Sequence, residues 1–174
     1  MQVQIFSGYH PDHKKLYEDI FNLTKEDVGW VYPNYDKWYH ETFLPDLKRG
    51  NRSYVVASRN LILAGCCLLK KTPEEQKICT FYVGRNYRRQ GIGSDLMTAA
   101  LQELDGGPII TVSPGLLPTF APFLSHFCFQ AIFQKNNNAD YGCDICFKQS
   151  IPAVIQRVSY PWRNPRYEVV KIKE

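Results

Sequence analysis

The stretch ICTFYVGRNYRRQGIGSDLM, residues 78–97, decides how the chain reads. It opens as the apolar run Ile78-Cys79-Thr80-Phe81-Tyr82-Val83, turns at Gly84, passes Arg85, Arg88 and Arg89, and reaches Gly91 and Gly93 just before an amphipathic segment. A strand that enters a helix through such a turn leaves the first helical N–H groups without a carbonyl one turn back. The two glycines let a ligand approach the backbone with no Cβ in the way. The helix dipole adds about half a positive charge at that end, and the three arginines supply full ones. The pattern therefore suits an anion, phosphate or pyrophosphate above all. The plainer alternative is a tight turn whose arginines are simply solvated.

Outward from this turn, Leu96, Met97, Ala100, Leu101 and Leu104 form one stripe of a helix over residues 94–104 that ends near Gly106-Gly107. A strand over 108–112 follows. On the N-terminal side, residues 77–83 are the third of three consecutive strands, after 53–58 and 61–69, which the two-residue turn Arg59-Asn60 joins as a hairpin. Before them come a strand over 2–6, a helix starting at Pro11 and Asp12 with Leu16, Ile20 and Leu23 in register, and a second helix capped by Asn34. That second helix carries Trp38, Phe43 and Leu47, is stopped by Gly50, and meets a kink or early end at Pro45. After Pro118 a short helix leads to strands over 129–134 and 142–148, linked by a polar turn over 135–140. The order β-α-α-β-β-β-α-β-α-β-β places the chain in the α/β (α+β) class, with a mixed, mainly antiparallel central sheet and helices on both faces.

At 174 residues the chain holds one core, read as a single domain over 1–150 followed by an extension over 151–174. The net charge of +4 falls short of a dedicated nucleic-acid protein. The longest apolar run, LILAGCCLL at 61–69, is too short to span a membrane, and the N-terminus MQVQIFSGYH has neither a basic start nor an apolar signal core. Six cysteines, two of them adjacent at Cys66-Cys67, fit buried thiols in a reducing compartment, so a cytoplasmic location is expected.

A P-loop would need Gly-Lys-Ser/Thr, but Gly93 is followed by Ser94 and Asp95; a dinucleotide fingerprint would need glycine where Leu96 stands. The pattern that fits is Arg/Gln-x-x-Gly-x-Gly/Ala, here Arg88-Arg89-Gln90-Gly91-Ile92-Gly93, after a strand of form apolar-x-x-apolar-x-Val. Together with the element order over residues 2–148, this resembles the GNAT acyl-CoA N-acyltransferase superfamily. The resemblance implies acetyl transfer from acetyl-CoA to a primary amine. It implies that the backbone from Arg88 through Arg89, Gln90, Gly91, Ile92 and Gly93 to Ser94 cradles the CoA pyrophosphate. Along the Phe81-Tyr82-Val83 strand, Phe81 and Val83 offer main-chain groups to the acetyl carbonyl and the pantetheine arm. That strand is expected to splay from the 108–112 strand and leave a slot for the thioester.

The chain also departs from the family's pattern. The tyrosine that protonates the departing thiolate, in a run like Phe-Tyr-x-x-x-Gly-Phe, is replaced by Leu124, and the glycine by Cys128. No asparagine stands near Ser113-Pro114, and the 77–83 strand carries no carboxylate; Glu74 and Glu75 precede it in a turn. The catalytic acid and base are therefore unassigned. A domain that holds CoA without turnover is the alternative. Ser125 and His126 flank Leu124, but adjacent helix residues point in different directions. His10, His13 and His40 form no recognisable metal or nucleophile set, and Cys143-x-x-Cys146 in a strand points to opposite faces, so no metal is expected.

In the resembling family the acceptor enters over the region between the first two helices. Here that region reads WVYPNYDKWY, residues 30–39. Its aromatics either line an acceptor pocket, with Asp36 or Glu41 attracting an amine, or anchor the helices to the sheet. The extension has five basic and two acidic side chains, and its alternating end could add an edge strand to its own sheet or to a second subunit's. Its SYPWRNPRY stretch leaves open an aminoacyl-tRNA acceptor, although a solvated extension is the plainer reading.

Overall fold

The computed structural model describes residues 1–104, 107–136, 143–150 and 169–171. One sheet of eight strands runs in the order β6-β7-β5-β4-β3-β2-β1-β8. Its strands are β1 Gln2–Ser7, β2 Arg52–Arg59, β3 Ile62–Lys71, β4 Gln76–Val83, β5 Ile109–Val112, β6 Phe129–Asn136, β7 Cys143–Gln149 and β8 Val169–Lys171. Neighbours are antiparallel except β4 with β5 and β1 with β8. The sheet is thus mixed and mainly antiparallel, with helices on both faces.

Strand alternation sorts the core. On one face Val3, Ile5, Val55, Cys67 and Leu69 meet Leu96, Met97 and Ala100 of α4 Ile92–Glu103, and Leu124 of α5 Leu117–His126. On the other, Phe6, Tyr54, Val56, Cys66 and Leu68 meet Tyr17 and Ile20 of α1 Lys14–Val31 and a second helical segment carrying Tyr35, Tyr39, Phe43 and Leu47. Adjacent Cys66 and Cys67 are both fully buried because they point into opposite cores.

Three local features differ from the sequence reading. The helix α1 runs on through Gly29 to Val31. The second helical segment is α2 Tyr35–Trp38, a π-helical turn Tyr39–Phe43, and α3 Leu44–Lys48. Pro45 explains this, because its ring would strike the carbonyl four residues back and its missing N–H cannot bond there; one wide turn ahead of it accommodates both. The β2–β3 hairpin turns at Asn60 and Leu61, one residue later than expected, with Arg59 paired to Ile62. Both turn residues are left-handed, at φ +52° and +64°, the backbone that matches a twisted two-residue hairpin.

Residues 137–140 of the expected polar turn lie outside the described residues, as does Gly106; Lys135 and Asn136 belong to β6. So does the 151–174 extension apart from β8, which lies parallel to β1 with Val3 opposite Val169.

Candidate active site

The site begins with a bulge. Strand β3 pairs Leu69 with Ile78 and Leu68 with Thr80, so Cys79 is the extra residue on β4. The bulge lets Ile78, Phe81 and Val83 all face the α4–α5 core although 78 and 81 are three apart. It also ends pairing with β5: only Lys77 with Ile109 and Ile78 with Ile110 are in register. Beyond them β4 continues to Val83 and β5 to Val112 without a ladder, and a slot opens between them.

At the end of β4 the Gly84 N–H bonds the Ala64 carbonyl at 2.9 Å, and a 3-10 turn over Arg85–Tyr87 leads to Arg89 and Gly91, both left-handed at φ +61° and +83°. Left-handed residues set among right-handed ones turn successive N–H groups to one side, the arrangement that holds anions. Asp95 N–H is the first to find its turn-back carbonyl, Gly91 O at 3.1 Å, so the N–H groups ahead of it are directed outward. A Cβ built on Gly91 meets nothing within 4 Å, and one on Gly93 stands 3.7 and 3.8 Å from the rings of Phe123 and Phe81. Gly91 therefore borders open space and Gly93 borders the slot.

The arginines divide their work. Asp27 of α1 accepts from Arg85 through both carboxylate oxygens, from Arg88 Nη2 at 3.2 Å and from the Tyr82 hydroxyl at 2.6 Å. The Arg85 hydrogen bond, then that of Tyr82, holds the Asp27 carboxyl far below the usual range. Arg88 also donates to the Val83 carbonyl at 3.0 Å and lies over the Tyr82 ring, so its side chain is turned toward β4 and α1. Arg89 is exposed and makes no side-chain hydrogen bond or ion pair among the described residues. Gln90 bridges Arg59 and the Asn86 carbonyl, closing the loop on itself.

The slot's floor is aromatic: Phe81 lies 6.1 Å from Phe120 and 5.4 Å from Phe123, ring centre to ring centre. Leu124 is fully buried in the core beside them, while Ser125 and His126 are exposed. Cys128 sits at φ +61°, which is why a glycine suits that position.

On the α1–α2 face the two expected uses of the aromatic region separate. Trp38 anchors, stacking on Tyr35 at 5.6 Å and under Arg52, whereas Trp30 is 87% exposed. Asp36 and Glu41 lie on the solvent side in pairs with His40 and Lys37. Glu75 pairs with Lys70 at 2.6 Å at the β3–β4 turn. His13 Nδ1 lies 2.6 Å from the Tyr54 hydroxyl and 4.9 Å, ring to ring, separates it from His10. Among the described residues no group of His, Cys, Asp or Glu is arranged to hold a metal. Cys146 is buried, and the side chain of Cys143 lies outside the described residues.

Sequence reading passed over one carboxylate. Asp144 on β7 is only 7% exposed. Ile145 beside it pairs with Val112 and packs with it toward α4 and α5, so Asp144 points to the opposite face, just past the end of β5. Tyr32 lies there too. Burial first, and then the Asp144 charge, push its hydroxyl up to about 12, opposed by the Ser113 backbone.

The sequence model of the acetyltransferase (GNAT) family matches residues 17–109. The chain belongs to this family. A search of curated proteins by sequence found no match. Among solved structures of the same fold, an acyl-CoA N-acyltransferase from Pseudomonas aeruginosa superposes with a TM-score of 0.63 at 18% identity, over 85% of this chain and 98% of that one. The PaiA N-acetyltransferase from Thermoplasma acidophilum, in complex with coenzyme A, gives 0.58 at 15% identity over 85% and 99%. An aminoglycoside 6'-N-acetyltransferase complexed with coenzyme A gives 0.63 at 15% over 85% and 97%. This GNAT chain thus has the family's mixed sheet as well as its signature. Among its described residues no helix is long and apolar enough to cross a membrane.

Proposed function

We propose that this GNAT protein is an acetyl-CoA-dependent N-acetyltransferase acting on a primary amine of a small molecule or polypeptide. The observation that carries the proposal is the slot between β4 and β5 opening beside the anion-binding turn at the start of α4. In this reading the pyrophosphate of acetyl-CoA rests on the main chain of Arg88, Arg89, Gln90, Gly91, Ile92, Gly93 and Ser94. The pantetheine arm follows the Phe81-Tyr82-Val83 edge that β5 leaves unpaired. A Phe81 or Val83 main-chain group bonds the thioester carbonyl, and a donor there also stabilises the oxyanion of the tetrahedral intermediate. An amine held against that carbonyl gains most of its rate from proximity, and the CoA thiolate is a fair leaving group.

Cys66, Cys67, Cys79 and Cys128 are free thiols, in keeping with the reducing, cytoplasmic setting of this reading. Leu124 favours a second reading, in which CoA is held without turnover, because a buried leucine cannot protonate a thiolate. Titration calorimetry with acetyl-CoA, followed by mass-spectrometric detection of acetylated amine and free CoA, separates the two. Micromolar binding with turnover is expected. Binding without turnover on any amine would select the second reading, and absence of binding would remove both.

A further inference from the structure

The rim of the slot already holds a hydrogen-bond donor. The Gly84 N–H bonds the Ala64 carbonyl of β3, and Val83 stands opposite Gly65 in the same ladder, so the Val83 carbonyl points the other way, into the gap between β4 and β5. There it accepts from Arg88 Nε at 3.0 Å. We infer that the Arg88 side chain is an internal plug on this rim, held in place by Asp27 and displaced when acetyl-CoA binds. The inference rests on the acetyl-CoA reading and deepens it, since it names what regulates that same site.

Three observations support it. The Arg88 Nε–H stands on the edge that the pantetheine arm is proposed to follow, on a carbonyl that an amide N–H of that arm would otherwise use. The plug is also held more weakly than its neighbour. Asp27 binds Arg85 through both carboxylate oxygens and accepts from the Tyr82 hydroxyl at 2.6 Å, whereas half-exposed Arg88 reaches it through Nη2 alone, at 3.2 Å. Arg85 therefore keeps α1 docked on the end of β4 when Arg88 leaves. Finally, Arg88 is the first residue of the turn proposed for the pyrophosphate. Its guanidinium can exchange a carboxylate for phosphate oxygens by side-chain rotation, and an arginine fork suits either anion.

A site closed part of the time by its own side chain binds with an affinity lowered by the fraction that is open. Asp27 is in this sense a positioning residue, acting on the ligand through Arg88. It stabilises the fold and weakens acetyl-CoA binding together, two effects that a purely structural carboxylate would not set against each other.

The test compares the full-length wild type with Asp27→Asn, using acetyl-CoA in titration calorimetry, S-acetylpantetheine in competition against it, and urea unfolding of the same samples. S-acetylpantetheine carries the arm without a phosphate or a charge. In Asp27→Asn the urea midpoint should fall, yet both ligands should bind about three- to fivefold more tightly, the hold of a half-exposed ion pair. Unchanged or weaker binding of acetyl-CoA would overturn the inference. Tightening of acetyl-CoA alone would overturn it too, because removing a negative charge near the phosphates accounts for that without a plug. A wild-type protein that fails to bind acetyl-CoA would instead remove the acetyl-CoA reading, and the inference with it. If Asp27→Asn does not fold, a crystal structure of the wild type with CoA decides alone: Arg88 Nε should have left the Val83 carbonyl, and an Arg88 still bonded there overturns the proposal.

Discussion

Replacing Gly91 by alanine tests the anion-binding turn with two independent numbers. Gly91 caps α4 at φ +83° and ψ −12°, a left-handed conformation. An L-residue held there costs about 1–2 kcal/mol, and the stiffer unfolded chain returns roughly 0.4–1 of it. Nothing lies within 4 Å of the added methyl, so no clash enlarges the cost. The net loss is about 1 kcal/mol, which lowers Tm by about 2–4 °C in a chain of this size. The same methyl enters the open space proposed for the pyrophosphate. Losing one N–H bond to a charged oxygen there costs about 1.5–3 kcal/mol, so the acetyl-CoA Kd should rise by about 10- to 150-fold. Thermal melts and calorimetry on one preparation read both. A lowered Tm with unchanged Kd would refute the pyrophosphate placement, and an unchanged Tm would refute the account of the backbone.

Leu61→Gly should raise stability by about 1 kcal/mol, because Leu61 is left-handed at φ +64° and 98% exposed, so strain is relieved with little packing lost; a lower urea midpoint would show that the side chain has a contact that matters. Cys128→Gly should act in the same direction by about 0.5–1 kcal/mol, since Cys128 ends α5 at φ +61° with its N–H on the Ser125 carbonyl; a fall in urea midpoint would mean that the half-buried thiol's packing outweighs the strain. The depressed Asp27 carboxyl contributes stability that is present above its ordinary value of 3.8 and is lost as pH falls through the lower folded value. Wild-type urea midpoints should therefore drop more steeply below that pH than those of Asp27→Asn, and parallel curves would show that the Arg85–Asp27–Arg88 cluster contributes nothing to folding.

The sheet and its helices were legible because each element declares itself over a few residues. The stripe from Leu96 to Leu104 needs no partner to read as a helix, and the three strands from 53 to 83 are set apart by their turns. Even the bulge is written locally: the apolar-x-x-apolar spacing of Ile78 and Phe81 is wrong for one face of a regular strand, and an extra residue at Cys79 resolves it. What failed was finer. The hairpin register moved by one because Asn60 and Leu61, not Arg59, take the left-handed backbone, and a leucine there gives no warning. At Pro45 the sequence pointed to a kink or an early end, and the chain instead forms the π-helical turn ahead of it.

The candidate site was legible only where its parts are adjacent in the chain. The turn from Val83 to Ser94 is a continuous string, so its glycines and arginines could be weighed together. Yet the engagement of Arg85 and Arg88 depends on Asp27, 58 and 61 residues earlier and visible only once α1 lies across the end of β4. Asp144 was hidden for the same reason. In the sequence it is one polar residue between two cysteines, and only the pairing of Ile145 with Val112 and the parting of β4 from β5 bring it to the mouth of the slot. Reading along β4 alone cannot reveal it, because β7 comes beside Val112 only through the pairing of the sheet.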